Sequence, residues 1–304
     1  MKVIIGSRGS KLALWQANWV QNQLAAAGHA VEIRIIKTTG DKLANLSLAP
    51  SGTKGLFIKE IEEALLAGEV DVAVHSLKDL PTEEPEGLCV AAVPRREDAR
   101  DVLIAGVPCA ELKPGARVGT SSLRRQVQLR HLRHDLELVP MRGNLDTRLR
   151  KLDGGDCDAL VLAAAGMHRL ELGERIRQYF AVEQICPAVG QGALAIEIRR
   201  DDDPMRSAVT PLDDPATHSA IRAERAALRH LGGGCQAPIA AHARLENGEL
   251  HLAGMVAHAD GSRLLRSAAV GPACDPEGVG TALAESLLHQ GARAILNAPG
   301  SAGL

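Results

Sequence analysis

The sequence predicts a mixed α/β protein: two α/β domains joined by two chain crossovers, followed by a small α+β domain at the C-terminal end. Three observations point there. Short apolar runs alternate with longer stretches of helical spacing through the first two thirds of the chain, the pattern of strand–helix–strand units. Two Pro- or Gly-rich breaks, at 94–101 and 187–192, interrupt that pattern and mark a passage into a second domain and a return to the first. Beyond residue 213 one helical run is followed by three alternating runs joined at Asn247-Gly248 and Asp260-Gly261, both strong hairpin turns. The predicted domains are residues 1–95 with 193–212, residues 96–192, and residues 213–304.

Composition narrows the function classes. The chain has 304 residues, 45% of them hydrophobic but only 2% aromatic, so its cores are aliphatic and it is poorly equipped to stack nucleic-acid bases. A net charge of -2 gives no global attraction to nucleic acid or to an anionic membrane. The six cysteines, at 89, 109, 157, 186, 235 and 274, show no metal-type CxxC spacing and no disulfide framework. No apolar run is long enough to span a bilayer. The N-terminus enters a strand-like segment with no secretory h-region. The expectation is a cytoplasmic, reduced, soluble monomer that holds no metal.

In chain order, residues 3–6 read as a strand, 11–27 as a helix with Leu12, Trp15, Trp19 and Leu24 at helical spacing, and 31–36 as a second strand. Arg8 and Ser10 lie in the loop at the first strand's carboxyl end, where open α/β sheets place ligands. Residues 37–54 are polar and aperiodic. Residues 56–66 read as a helix. The strand 70–74 leads into His75-Ser76-Leu77-Lys78-Asp79, so Lys78 and Asp79 also fall at a carboxyl end. A carboxylate beside a lysine is most often a plain surface pair. At a ligand edge it suits a developing positive charge or a proton. Strands follow at 88–93 and 102–105.

Arg117-Val118-Gly119-Thr120-Ser121-Ser122-Leu123-Arg124-Arg125 reads as strand, hydroxyl turn and helix start. Two arginines in a first helical turn oppose the macrodipole, which points to a ligand rather than to helix stability. The strand 138–141 ends in Arg142-Gly143-Asn144, with Arg148 one turn into the next helix, and Arg169 follows the strand and turn at 159–165. Any one arginine is usually solvated. Several at equivalent strand ends favour a shared anion site, since guanidinium forks hold carboxylate and phosphate bidentately. No GxxxxGK[ST] loop offers a nucleotide site. A strand at 194–198 and Asp-Pro linkers at 201–204 and 213–215 follow, then a helix at 218–231, strands at 239–245, 250–257 and 264–270, and helices at 282–290 and 292–296.

The helix at 218–231 leads into Gly232-Gly233-Gly234-Cys235-Gln236-Ala237-Pro238. Three glycines remove every side chain that could crowd the sulfur. Taken alone, such a cysteine reads more readily as a buried loop residue that only packs. Beside a row of arginines it reads as a nucleophile or an attachment point.

These stretches together resemble the porphobilinogen deaminase (hydroxymethylbilane synthase) family. The resemblance is carried by residues 7–17, Lys54-Gly55-Leu56-Phe57, Ala73 to Asp79, Gly119 to Arg125, Arg142-Gly143-Asn144 through Arg148, Val189-Gly190-Gln191-Gly192, and Gly234 to Pro238, in the family's order over nearly the whole chain. It implies two type II periplasmic-binding-like domains and a third that carries the cofactor cysteine. It implies a dipyrromethane cofactor joined to Cys235 by a thioether, and four porphobilinogen molecules condensed head to tail with loss of ammonia before water releases a linear tetrapyrrole. By the same match Asp79 is catalytic. Lys78, Asp79, Thr120, Ser122, Arg124, Arg125, Arg142, Gly143 and Gln191 hold the cofactor. Arg8, Ser10, Lys54, Arg142, Arg148 and Arg169 bind substrate. The product is expected to pass to the next tetrapyrrole enzyme. The alternative reading is a non-catalytic two-domain carboxylate-binding protein, which explains the arginines but has no use for Cys235 or Asp79.

Overall fold

The computed structural model describes residues 1–40, 58–232 and 238–298. Backbone contacts divide them into two compact units, one of residues 1–97 and 193–218, the other of 98–192 with the chain from 219 onward.

The first unit holds β1 (Lys2–Ser7), α1 (Lys11–Ala26), β2 (Ala30–Ile35), α2 (Lys59–Leu66), β3 (Val72–Ser76) and β4 (Leu88–Ala92). After the excursion through the second unit the chain adds β10 (Leu194–Arg199) and α6 (Asp203–Val209). The sheet order is β2-β1-β3-β10-β4. β1 runs parallel to β2 and β3, as the strand–helix–strand pattern requires, but β10 is antiparallel to both its neighbours. The sheet is therefore mixed. β10 is buried along nearly its whole length, which is why its sequence, Leu-Ala-Ile-Glu-Ile, is apolar apart from one acid.

The second unit repeats the plan. It holds β5 (Asp101–Ile104), β6 (Arg117–Gly119), α3 (Leu123–Leu132), β7 (Glu137–Val139), α4 (Leu145–Asp153), β8 (Ala159–Ala163), α5 (Ala164–Arg169) and β9 (Gln178–Tyr179). The order is β7-β6-β8-β5-β9, with β6 parallel to β7 and β8, and β5 antiparallel to β8 and β9. In each sheet the strand in fourth place enters just after a crossover and runs against its neighbours. β9, two residues long, leaves no sequence signal of its own.

The C-terminal part comprises α7 (Pro215–Leu231), β11 (Ile239–Glu246), β12 (Glu249–Ala257), β13 (Leu264–Pro272), α8 (Pro276–His289) and α9 (Ala292–Leu296). Its antiparallel sheet β11-β12-β13 turns at Asn247-Gly248, both at positive φ. Ala223 and Ala227 of α7 pack with Leu252 of β12 and Leu283 and Leu287 of α8. Gly280 lets α8 approach α7 closely, because a Cβ there would lie 2.4 Å from the Ala223 carbonyl oxygen. On the sheet's other face Ala240, Met255 and Ala257 pack with Val127 of α3 and with Cys186.

Two readings of the sequence need correction. The Asp-Pro runs are helix starts, not solvated linkers. The Asp202 side chain accepts from the Met205 N–H at 3.1 Å to cap α6, and Asp214 accepts from the Thr217 N–H at 2.8 Å at the start of α7. An aspartate satisfies N–H groups that a helix leaves open, and a proline in the first turn has none to satisfy. For the same reason α8 starts at Pro276, capped by Asp275, rather than at residue 282.

Candidate active site

In the first unit the loop after β1 carries Arg8 and Ser10. Ser10 caps α1, its hydroxyl accepting from the Ala13 N–H at 3.3 Å. Arg8 is half-buried. β3 ends in a 3-10 turn, Leu77–Asp79. Three bonds fix that strand end: the Leu77 N–H donates to the Ala193 carbonyl at 3.0 Å, Gln16 Nε2 donates to Ser76 Oγ at 2.8 Å, and His75 Nε2 lies 3.2 Å from Glu197 Oε2. Lys78 and Asp79 are half-buried, and the Asp79 carboxylate has no ion pair or hydrogen bond to another described residue. Behind the turn lies a buried group that the sequence reading did not anticipate. His75 and Glu197 are buried, and their charges act on the half-buried Glu62, whose Oε1 is buried without a hydrogen-bond partner among the described residues. Burial and then the charge of Glu197 push the Glu62 carboxyl above its usual range, while His75 pulls it back in part.

In the second unit the turn between β6 and α3 is knit by its own hydroxyls. The Ser122 N–H donates to Thr120 Oγ1 at 3.3 Å, and the Met141 N–H donates to Ser121 Oγ at 2.9 Å. Ser122 occupies the N-cap of α3 but makes no side-chain cap bond. Arg124 and Arg125 follow, and both are buried. Their partner is Asp101, the first residue of β5, which is fully buried. Arg124 Nη1 donates to Asp101 Oδ2 at 2.6 Å, while Arg125 Nε and Nη2 donate to Oδ1 at 2.9 and 2.7 Å. Gln191 Nε2 donates to the same Oδ1 at 3.0 Å and to the Ala99 carbonyl at 2.7 Å. Burial alone would raise the Asp101 carboxyl; the charges of Arg124 and Arg125 outweigh it and hold the group well below the usual carboxylate range. The conflict between these arginines and the helix dipole is thus met in part by an internal carboxylate. The sequence carried one signal for it, an acid opening an otherwise apolar strand.

Of the other arginines, Arg169 is buried and its Nη2 donates to the Gly192 carbonyl at 2.7 Å. Arg142 is exposed, at the end of the segment after β7. Gly143 takes φ +110°, and a Cβ there would meet Thr147 Cγ2 at 2.7 Å. Asn144 caps α4, its side-chain oxygen accepting from the Thr147 N–H at 3.0 Å, and Arg148 Nε donates to the Gly143 carbonyl at 2.9 Å. The second unit therefore brings Arg124, Arg125 and Gln191 together on Asp101, and binds Gly143 to Arg148. Lys54 and Cys235 lie outside the described residues.

A further junction lies beside this cluster. Gln128 clamps the Cys186 backbone, its Oε1 accepting from the N–H at 2.7 Å and its Nε2 donating to the carbonyl at 3.1 Å. Burial pushes the Cys186 thiol up to about 12, so this cysteine is an inert packing residue. Glu224 of α7, fully buried, accepts from the Gly190 N–H at 2.7 Å and from the Ala243 N–H at 2.8 Å. It ties the Val189-Gly190-Gln191-Gly192 segment to β11. Among the described residues no group of His, Cys, Asp and Glu is arranged to hold a metal ion, and no helix is long and apolar enough to cross a membrane.

Residues 3–207 match the family model described as "Porphobilinogen deaminase, dipyromethane cofactor binding domain", and residues 218–289 match "Porphobilinogen deaminase, C-terminal domain". A porphobilinogen deaminase of Pelobacter propionicus is 52% identical over 295 residues, covering 96% of this chain and 95% of its own. One from Thiobacillus denitrificans is 49% identical, covering 97% of each. Among solved structures, a periplasmic substrate-binding protein of an ABC transporter from Coxiella burnetii aligns at 16% identity with a TM-score of 0.42, over 69% of this chain and 91% of that one.

Proposed function

The chain belongs to the porphobilinogen deaminase family, and we propose how its own residues carry that family's reaction. It is a transferase of porphyrin biosynthesis. It condenses four porphobilinogen molecules head to tail, with release of ammonia, onto a dipyrromethane primer and frees the linear tetrapyrrole by hydrolysis. The observation that carries this is the match to both family domains over nearly the full chain at about half identity.

Cys235 is the attachment point, through a thioether that survives a reducing cytoplasm where a disulfide would not. Bound there, the cofactor supplies a nucleophilic pyrrole carbon as primer. Both cofactor and substrate carry acetate and propionate groups, and the donor set fits them. Arg124 keeps an unpaired guanidinium edge among the described residues, and Arg142 is exposed. Lys78, Thr120, Ser122, Arg124, Arg142 and Gly143 hold the cofactor, and Arg125 and Gln191 enter that set through Asp101. Arg8, Ser10, Lys54, Arg148 and Arg169 serve substrate carboxylates, together with Arg142. Asp79 meets the positive charge that develops on pyrrole nitrogen when ammonia leaves and carries the proton there. Chain segments 1–95 with 193–212, 96–192 and 213–304 are taken as three domains, working as a cytoplasmic monomer that hands its product to the next tetrapyrrole enzyme.

Intact-mass measurement tests the attachment. Chain purified from a cell that makes porphobilinogen is expected to be heavier than its sequence by two pyrrole units, and Cys235→Ser is expected to abolish the increment. A bare wild-type polypeptide that turns over substrate normally would overturn it.

A further inference from the structure

Two adjacent arginines of the same chemistry have unequal surroundings. Arg125 spends its side-on edge, Nε and Nη2, on Asp101 Oδ1, and its remaining nitrogen, Nη1, donates to the Val161 carbonyl at 3.1 Å. Arg124 is held by one nitrogen alone: Nη1 donates to Asp101 Oδ2 at 2.6 Å and to the Cys186 carbonyl at 2.6 Å. Its own side-on edge, Nε and Nη2, has no partner among the described residues. That edge is the one a carboxylate grips with two parallel hydrogen bonds. Asp101 accepts four hydrogen bonds, three on Oδ1 and one on Oδ2. The Cys186 carbonyl that shares Arg124 is fixed in turn by Gln128. Two guanidinium charges facing one carboxylate leave a single net positive charge.

We propose that Asp101 is a positioning residue for the bound pyrrole chain: it consumes the charge and the edge of Arg125 and pins Arg124 by Nη1, so that the pair presents one carboxylate-binding edge, that of Arg124. This rests on the reading under Proposed function, and deepens it by making the two arginines unequal. Arg125 is then the counter-charge that lets Asp101 stay ionised while fully buried.

The test compares two double variants of the full chain, made in a host that produces porphobilinogen. One combines Asp101→Asn with Arg125→Gln, the other Asp101→Asn with Arg124→Gln. Each removes one negative and one positive charge, so the local balance is that of wild type. The readouts are the fraction of molecules with the two-pyrrole mass increment, the melting temperature, and KM against kcat. The variant that keeps Arg124 is expected to load at least about tenfold more cofactor than the variant that keeps Arg125, the loss expected for one charge-assisted contact. The two are expected to melt at similar temperatures. Equal loading or failure of both chains to fold assigns the cluster to folding alone, the reverse order gives the binding edge to Arg125, and each of these overturns the proposal. A wild-type chain without the mass increment instead removes the reading on which the proposal rests, a failure seen before any variant is compared.

Discussion

At the scale of single residues, the two units handle a carboxylate charge in opposite ways. Asp101 is fully buried and answered on all sides, whereas Asp79 is half-buried with no partner among the described residues. A carboxylate that nothing in the fold uses contributes little to folding. Asp79→Asn is therefore expected to change stability by less than about 0.5 kcal/mol, within the range of surface substitutions away from special contacts. The same change removes the negative charge from the turn that ends β3, and with Asp79 in the catalytic role proposed for it, turnover is expected to fall by at least about 100-fold. The chain should still carry the two-pyrrole mass. Denaturant titration, intact mass and steady-state rates on one preparation check all three. Full activity would take Asp79 out of its role, and a large loss of stability would assign it to folding.

At the scale of elements, the segment that presents Arg142 and Arg148 is held by its own local bonds rather than by a long-range core. Gly143 sits at φ +110°, a conformation unfavourable for a residue with a Cβ, and a Cβ would also press on Thr147 at 2.7 Å. Asn144 caps the helix, and Arg148 returns a bond to the Gly143 carbonyl. Gly143→Ala is expected to cost more than about 1 kcal/mol, because strain and crowding act together. Asn144→Ala is expected to cost about 1 kcal/mol through the lost cap. The first should also raise KM for porphobilinogen, since it shifts the carbonyl on which Arg148 is seated; an unchanged KM would detach the segment from substrate. Much of this was legible in the sequence, because Arg-Gly-Asn before a helical run is a local code for a turn and a cap. The Asp-Pro helix starts were readable by the same code but were masked by their polarity. What was not legible is pairing across distance. Arg124 and Arg125 could be named from their place at a strand end, and Gln191 from the family resemblance alone, yet nothing local says that one buried aspartate, 23 residues before Arg124, accepts from all three.

At the scale of the whole molecule, the two units repeat a sheet order but differ in their buried charges, and this makes their acid stability separable. The second unit holds Asp101, whose carboxyl lies well below its usual range. Burial opposes this, and the Arg124 and Arg125 charges override it. A carboxyl depressed by folding stabilises the native state at pH values above its unfolded pKa, about 3.9. That stabilisation is lost as pH falls from there through the folded value. Breaking a buried ion pair by removing one partner costs on the order of 3–5 kcal/mol. In Asp101→Asn the contribution is absent at every pH, so the second unit is expected to be weaker near neutrality. Its stability should also fall less steeply than that of wild type below about pH 4. The first unit holds the Glu62, His75 and Glu197 group instead. There Glu62 is shifted upward, so acid relieves a charge that the fold disfavours. The chain's two tryptophans, Trp15 and Trp19, both lie on α1, so selectively excited fluorescence reports the first unit. Hydrogen exchange of the amides of β5 and β8 reports the second. On acid titration Asp101→Asn is expected to alter the exchange of β5 and β8 while leaving the tryptophan transition in place. A variant whose tryptophan transition moves as far as its β5 and β8 exchange would show that the two units do not lose stability separately.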